Sequence, residues 1–423
     1  MKFCVECFGC RANQAEVQEW ILDLGKAGYA FTPHQGDADF GIINTCSVTE
    51  KAERDVVRAI NRAFSRTHIP WIVAGCSVTR DKENLERRFP GYVFLDNSQK
   101  IGMVAEVRQR FPQETNLIFH SAFRSRLFLK IHDGCNFRCA YCIVPSLRGP
   151  SRSQPLETIL RRARYAAALG YREFILTGIN LSSYGFDLFP RHNLLEVVQG
   201  LAEIPGVEFI RLSSLDPRYL RYDFVQGLKA TGKVCSSFHF SFQSGSDSVL
   251  KRMKRGSKVS EYRRILDMFD RLYPHANLGA DFITGFPEES EKEHRETVEF
   301  ISDSSLNYLH VFPYSPRPGT AAARQEPLPA HVVRARAGEL KQLNRNLRFA
   351  YRESCLGRML DAVIIEETPH FSMAVTDNYL SVRTPPTRGL KQKRVTLRLT
   401  RLLGDNLCEG APVDSPRARV QPR

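Results

Sequence analysis

Short apolar runs alternate with stretches of helical periodicity from the start of the chain: KFCVECFG, FGIINTC, PWIVAGC and GYVFLD, each followed by a helical pattern. That alternation predicts an N-terminal parallel-sheet α/β domain with helices on the faces of the sheet. A second series begins near Leu127, with LFLKIHDG, EFILTGIN, EFIRLSS, SSFHFSFQSG, NLGADFITGF and YLHVFPYSP. Helical patterns follow the first five, so six βα-like units predict a partial (βα)6, TIM-like barrel rather than a full eight-stranded one. From His331 to Ser354 the pattern becomes one long basic helix carrying Arg334, Arg336, Lys341, Arg345, Arg348 and Arg352. Beyond it RMLDAVIIEE, FSMAVTDNYLSVRT and KQKRVTLRLTRLLG predict strands of a C-terminal small β-barrel of OB-like size. The expected domains are residues 1–112, 121–352 and 353–415, with a Pro- and Arg-rich disordered tail at 416–423.

At 423 residues the chain is long enough for two to four domains on a prior of roughly 100 to 200 residues each. Lys and Arg number 60 against 46 Asp and Glu, a net charge of +14 that favours a polyanionic partner such as nucleic acid. The first residues carry no apolar core behind a basic start, and no run of about 18 apolar residues occurs. The expectation is a soluble, cytoplasmic protein with no membrane association. In that compartment the 11 cysteines read as metal ligands, catalytic groups or buried small hydrophobes rather than disulfides.

Three of the N-terminal apolar runs end at Cys10, Cys46 and Cys76. The carboxyl ends of strands in an open α/β sheet converge on one edge, where ligands bind, so these three thiols are expected to meet. Between His132 and Gly149 lies a second trio, Cys135, Cys139 and Cys142, at the spacing C-x-x-x-C-x-x-C. Four thiolates usually close a zinc or iron-sulfur site, so a trio leaves one metal position open to a substrate or cofactor. In a [4Fe-4S] cube held by three cysteines, the fourth iron can take the amino and carboxylate groups of S-adenosylmethionine (SAM). Reductive carbon-sulfur cleavage then gives a 5′-deoxyadenosyl radical.

GCNFRCAYC resembles the cluster loop of the radical SAM superfamily, with Tyr141 as the aromatic residue before the last cysteine. Gly9 to Asn13 (G-C-x-x-N), NTCSVT and AGCSVTR resemble the three cysteine motifs of the methylthiotransferase N-terminal domain. The resemblance runs from about Lys2 to Gly410 and implies two [4Fe-4S] clusters, one held by Cys10, Cys46 and Cys76 and one by Cys135, Cys139 and Cys142. It also implies SAM as methyl donor and radical source, and an electron donor such as flavodoxin or ferredoxin. No catalytic side chain beyond the clusters is implied. NTCSVTEKAER, RGPSRSQPLE, ILTGINLSSYG, RLSSLDP, FQSGSDSVLKRMKR and LHVFPYSPRPGTAA are most similar to the branch acting on N6-threonylcarbamoyladenosine at tRNA position 37, in the anticodon loop. The nearer alternatives are the branches acting on isopentenyladenosine in tRNA or on an aspartate of a ribosomal protein. The farther alternative is a non-enzymatic, metal-stapled RNA-binding protein.

Strand-end polar residues supply candidates for holding SAM: Tyr141, Thr177, Gly178, Asn180, Ser213, Gln243 and Arg255. Arg317, in the proline-flanked YSPRPGT, is a candidate for a substrate carboxylate, whereas GFPEES reads as a tight turn opening an acidic helix. In the last module, which resembles a TRAM domain, Arg383, Arg388, Lys391, Lys393, Arg394, Arg398 and Arg401 form a stretch without an acidic residue, suited to RNA phosphates. Alternation places Arg394, Thr396, Arg398 and Thr400 on one solvent face opposite Val395, Leu397 and Leu399. Cys4 and Cys7 are expected to pack, because Cys7 points to the opposite face of its strand from Cys4 and Cys10. Cys235, Cys355 and Cys408 are expected to be buried small hydrophobes or surface thiols. The oligomeric state is not legible in the sequence.

Overall fold

The computed structural model describes residues 1–66, 68–113, 126–404 and 406–413. The tail at 416–423 and the first residues of the 121–352 range lie outside the described residues. The N-terminal sheet contains β1 (Lys2–Cys7), β2 (Ala30–Phe31), β3 (Phe40–Thr45), β4 (Trp71–Gly75) and β5 (Val93–Leu95) in the order β2-β1-β3-β4-β5. Every neighbouring pair is parallel. The edge strand β2 spans two residues and left no pattern long enough to read in the sequence. β3 and β4 are buried along their whole length because helices cover both faces. Gly41 is required where the two cross: a Cβ there would fall 2.3 Å from the ring of Trp71.

The second body carries β6 (Arg126–Asp133), β7 (Arg152–Ser153), β8 (Glu173–Gly178), β9 (Phe209–Leu212), β10 (Ser237–Gln243), β11 (Asn277–Thr284) and β12 (Tyr308–Pro313). Ladders join β6, β8 and β9 in parallel, and β10, β11 and β12 in parallel. Isolated parallel bridges Ile210–Val234 and Leu215–Phe240 connect the two halves. The six expected βα strands are therefore present, with the short antiparallel β7 added outside β6. Among the described residues β6 and β12 do not pair, so the barrel is open on one side. The helix Arg11–Lys26 of the N-terminal body lies along β6 there. The Gln18 carboxamide accepts from the Phe128 N–H at 2.6 Å and donates to the Arg126 carbonyl at 3.2 Å, completing bonds that an edge strand would otherwise leave to water.

The GFPEES segment forms the anticipated turn and helix start. Ser290 caps Glu291–Ser302 in a capping box with Glu293. The long basic helix runs from Ala330 to Ser354 and packs on β12. The C-terminal module is a closed five-stranded barrel of β13 (Met359–Glu367), β14 (Ser372–Thr376), β15 (Ser381–Thr384), β16 (Arg394–Leu402) and β17 (Leu407–Pro412). The run 371–384 is two strands joined by a turn, and β17 was not anticipated from the sequence. Cys4, Cys235, Cys355 and Cys408 are buried, whereas Cys7 is exposed at the end of β1 and does not pack as expected. No helix among the described residues is long and apolar enough to cross a membrane.

The turn between β14 and β15 docks against the bottom of the open barrel through Arg211. Its guanidinium donates to the carbonyls of Asp377 at 2.8 Å and Thr376 at 3.1 Å, pairs with the fully buried Glu173 at 2.8 Å, and lies over the Tyr379 ring. Arg211→Ala leaves Glu173 with only Arg126, 4.0 Å away. The expected result is a loss of about 3–5 kcal/mol in chemical denaturation, with faster proteolysis between the Ala330–Ser354 helix and β13.

Candidate functional site

The chain turns sharply where β1, β3 and β4 end, and those turns carry Cys10, Cys46 and Cys76. Gly9 has φ +96°, and a Cβ on it would fall 2.5 Å from the Cys46 sulfur, so only glycine permits this approach. The Asn13 amide donates to the Phe8 carbonyl at 2.7 Å and the Thr45 carbonyl at 2.9 Å, tying the Cys10 turn to the Cys46 strand end. Burial pushes the Cys46 thiol up to about 11, and the nearby Cys10 and Cys76 push in the same direction. Asn97, just past β5 at the same edge, donates to the Cys76 sulfur at 3.6 Å and the Leu147 carbonyl at 2.8 Å. It was missed in the sequence, although its place after the fourth apolar run obeys the same edge rule.

The second trio sits on the loop after β6. Its ends are pinned by a bond from the Cys135 N–H to the Gly149 carbonyl at 3.1 Å, and Gly134, at φ +67°, avoids the Pro150 carbonyl. Burial raises Cys142 to about 12, with Cys139 and Cys135 adding to it against one backbone N–H from Val144. Cys135 is also raised, chiefly by burial. Crowded, desolvated thiols are poor thiolates unless a cation supplies the countercharge. Each trio therefore fits a cationic iron-sulfur group and offers one ligand fewer than a closed site needs.

Cys76 packs against Ile143 and Leu147, which follow Cys142, so both trios lie beside one short helix, Val144–Arg148. A cavity of about 200 Å³ runs between them, lined by Val48 and Thr49 from the Cys46 turn, by Tyr141 and Cys142, and by Gln243 and Phe312 from the barrel. A separate cavity of about 580 Å³ opens to the surface over Cys135, Cys139 and Cys142.

The remaining strand-end candidates surround the barrel mouth. Thr177 is buried, Gly178 packs on His132, and the Asn180 N–H lies 3.4 Å from the His132 ring. The Ser213 hydroxyl is buried with no hydrogen-bond partner among the described residues, as is the Arg255 Nε. Gln243 adopts φ 77°, which turns the end of β10 toward the inner cavity. Arg255 donates to the Ser241 carbonyl at 2.6 Å, and its guanidinium lies 3.8 Å from the Cys139 sulfur. Unsatisfied polar atoms around a mouth that carries three thiols fit a polar cofactor such as SAM.

Three residues on the neighbouring strands β10, β11 and β12 were not picked out from the sequence. Asp281 accepts from His239 at 2.8 Å and lies 3.3 Å from His310; burial alone would push its carboxyl up, but the two histidines outweigh that and hold it depressed, while burial lowers His239. Only strand register brings them together.

Two expectations need correction. Arg317 is 3% exposed and donates to Glu53, which also pairs with Arg80. Its guanidinium clamps the barrel loop to the N-terminal helix Glu50–Arg66 rather than standing free for a substrate carboxylate. The basic stretch of the last module has acidic neighbours from other strands: Arg383 and Arg401 pair with Glu409, and Arg394 with Asp361. Arg388, Lys391, Lys393 and Arg398 are exposed and make no ion pair among the described residues. Arg394, Arg398 and Thr400 face solvent while Leu397 and Leu399 are buried, as alternation requires.

An open parallel barrel with a three-thiol loop at its mouth defines a radical SAM enzyme. The family model described as "Radical SAM superfamily" matches residues 129–301, and "Uncharacterized protein family UPF0004" matches residues 2–95. The chain is 32% identical over 401 residues to the threonylcarbamoyladenosine tRNA methylthiotransferase MtaB of Aquifex aeolicus, covering 90% of this chain and 96% of that protein. It is 30% identical to the ribosomal protein uS12 methylthiotransferase RimO of a Sulfurihydrogenibium species, over 84% of each chain. A solved radical SAM methyltransferase, TsrM of Kitasatospora setae, shares the fold with a TM-score of 0.54 at 11% identity over 76% of each chain. The chain belongs to the radical SAM methylthiotransferase family. It is a transferase whose cofactors are SAM and [4Fe-4S] clusters.

Glu16 crosses the junction beneath both trios, accepting from Lys100 at 2.8 Å, Lys130 at 2.9 Å and Arg148 at 3.0 Å. Glu16→Gln takes the carboxylate from Lys100 and leaves Lys130 and Arg148 with Asp133 to share, and is expected to lower stability by about 3–5 kcal/mol, read as a shifted denaturation midpoint. A change below about 1 kcal/mol would contradict this account.

Proposed function

We propose that the protein adds a methylthio group to C2 of N6-threonylcarbamoyladenosine at position 37 of tRNA. The observation that carries this reading is the pair of three-thiol sites packed beside a single short helix, with residues next to Cys46 and Cys142 lining the same inner cavity. In this reading Cys10, Cys46 and Cys76 hold one cluster and Cys135, Cys139 and Cys142 hold the other. When bound, the cofactors supply radical activation of an unreactive aryl C–H bond, a sulfur atom and a methyl group.

The chain's own part is binding and exclusion of water. Tyr141, Thr177, Gly178, Asn180, Ser213, Gln243 and Arg255 hold SAM at the barrel mouth. Val48, Thr49 and Phe312 give the inner cavity apolar walls against which a base splayed from a single-stranded anticodon loop can stack. Residues 1–112, 121–352 and 353–415 act as auxiliary-site, barrel and RNA-binding units. Arg388, Lys391, Lys393 and Arg398 contact phosphates, with Arg383, Arg394 and Arg401 held beside them by their carboxylate partners. A flavodoxin or ferredoxin supplies electrons, and the reaction takes place in the cytoplasm.

The relative that modifies a ribosomal protein keeps a second reading in view, with a protein aspartate as substrate; the exposed basic residues favour RNA. Mass spectrometry of tRNA nucleosides from cells lacking the gene separates the two. Selective loss of the methylthio form of threonylcarbamoyladenosine is expected, and unchanged tRNA would refute the reading. In parallel, anaerobically purified protein should hold about eight irons, falling to about four when either cysteine trio is replaced by alanine.

A further inference from the structure

Strand register gathers a second set of ligand-type side chains that includes no thiol. Asp281 on β11 and His310 on β12 are register partners. His239 on β10 pairs with Gly279, two residues before Asp281, so alternation puts its side chain on the same face as the carboxylate. Both imidazoles converge on one oxygen: Asp281 Oδ1 lies 2.8 Å from His239 Nε2 and 3.3 Å from His310 Nδ1. The three ligand atoms all lie within 4.8 Å of one another. Ligands bonded at about 2.1 Å to one octahedral or tetrahedral ion stand roughly 3.0–3.4 Å apart, so both contacts to Asp281 are already close to the spacing of a shared ion. The other ring nitrogen of His239, Nδ1, stands 3.2 Å from the Tyr308 hydroxyl, and Ser214 donates to the second Asp281 oxygen at 3.4 Å. Metal-binding histidines and carboxylates are oriented in this way, by hydrogen bonds to the atoms that do not ligate.

We propose that His239, Asp281 and His310 form a binding site for one divalent ion of the zinc class. Two imidazole nitrogens and one carboxylate oxygen suit zinc, whereas magnesium and calcium take oxygen ligands. Binding exchanges one cation for another. The proton between His239 Nε2 and Asp281 leaves to water, the Nδ1–H is held toward the Tyr308 hydroxyl, and the ion takes the nitrogen and the oxygen that the proton bridged. Three protein ligands leave a further position for water or an anionic oxygen. Arg11, at the start of the N-terminal helix, adds positive charge near His239, which favours the anionic oxygen. His239 is buried, but the His310 side chain is 48% exposed, so the ion has a way in from solvent. Asp281 also lines the cavity shared with Tyr141 and Cys142, so the site borders it. No cysteine belongs to the set, and the proposal stands independently of the functional reading above.

The test uses the full chain with its clusters, prepared anaerobically, stripped with EDTA and dialysed against micromolar zinc chloride beside His310→Ala and Asp281→Asn. Elemental analysis is expected to find about one zinc per wild-type chain and less than about a tenth of that in either variant, with iron equal in all three. Should Asp281→Asn also lose iron, His310→Ala, which removes a half-exposed side chain, decides by itself. Zinc-edge X-ray absorption of the wild type is expected to show nitrogen and oxygen at about 2.0–2.1 Å and no sulfur at about 2.3 Å. A wild-type chain that retains no zinc would overturn the proposal and leave the three side chains as a metal-free hydrogen-bonded chain. Sulfur in the first shell, or equal zinc in wild type and His310→Ala, would place the ion on cysteines and overturn it too. A chain that takes up zinc on nitrogen and oxygen yet leaves tRNA unmodified would refute the functional reading and support this site.

Discussion

Five charged side chains are held away from water where the N-terminal sheet meets the open barrel, and they tie together the elements that carry the two cysteine trios. Glu16 rises from the N-terminal helix, Lys100 from the segment after β5, Lys130 and Asp133 from β6, and Arg148 from the helix after the cysteine loop. Burial by itself would push the Glu16 carboxyl up, but Lys100, Lys130 and Arg148 outweigh it and hold the group well below its usual range. Arg148 also donates to the Asn13 side chain at 2.6 Å, and Asn13 in turn ties Cys10 to the Cys46 strand end. A set of charges this buried is stable only with every partner present, so it fixes one relative placement of the two bodies.

That placement solves a problem of the open barrel. A half-closed parallel sheet leaves an edge at β6, and the N-terminal helix covers it with Gln18 and with Ala15, which packs on Phe128 and Ile175. The same helix begins one residue after Cys10. Covering the barrel and presenting an auxiliary thiol to its mouth are thus one structural act. At the other end of the barrel Arg211 performs the corresponding task for the C-terminal module, which leaves the mouth unobstructed and puts the exposed basic residues of β16 on a separate surface.

Charge is distributed with similar economy. The chain carries a net +14, yet many of its arginines are spent internally: Arg148, Arg211, Arg255, Arg317 and Arg336 are all buried against carboxylates, carbonyls or sulfur. Exposed cations without an ion pair among the described residues lie on the last barrel and around the cavity over Cys135, Cys139 and Cys142, but also elsewhere, as at Arg87, Arg264, Arg295 and Lys341. Net charge therefore predicts the class of partner but not where it binds.

The alternation of apolar runs and helical patterns made the sheet, the six barrel strands and the final β module legible, and the edge rule for parallel strands placed Cys10, Cys46 and Cys76 together before any coordinates. These features are local or follow from chirality and connectivity, so a linear string encodes them directly. What only tertiary structure decided depends on register and on which surfaces meet. Glu409 beside Arg383 and Arg401, Glu53 against Arg317, and His239, Asp281 and His310 on three neighbouring strands are pairings between residues far apart in sequence, and nothing in the local pattern of either partner announces the other. The spacing of thiols can be read because the ligand they share demands it, whereas a buried ion pair is chosen by packing, which exists only once the chain has folded.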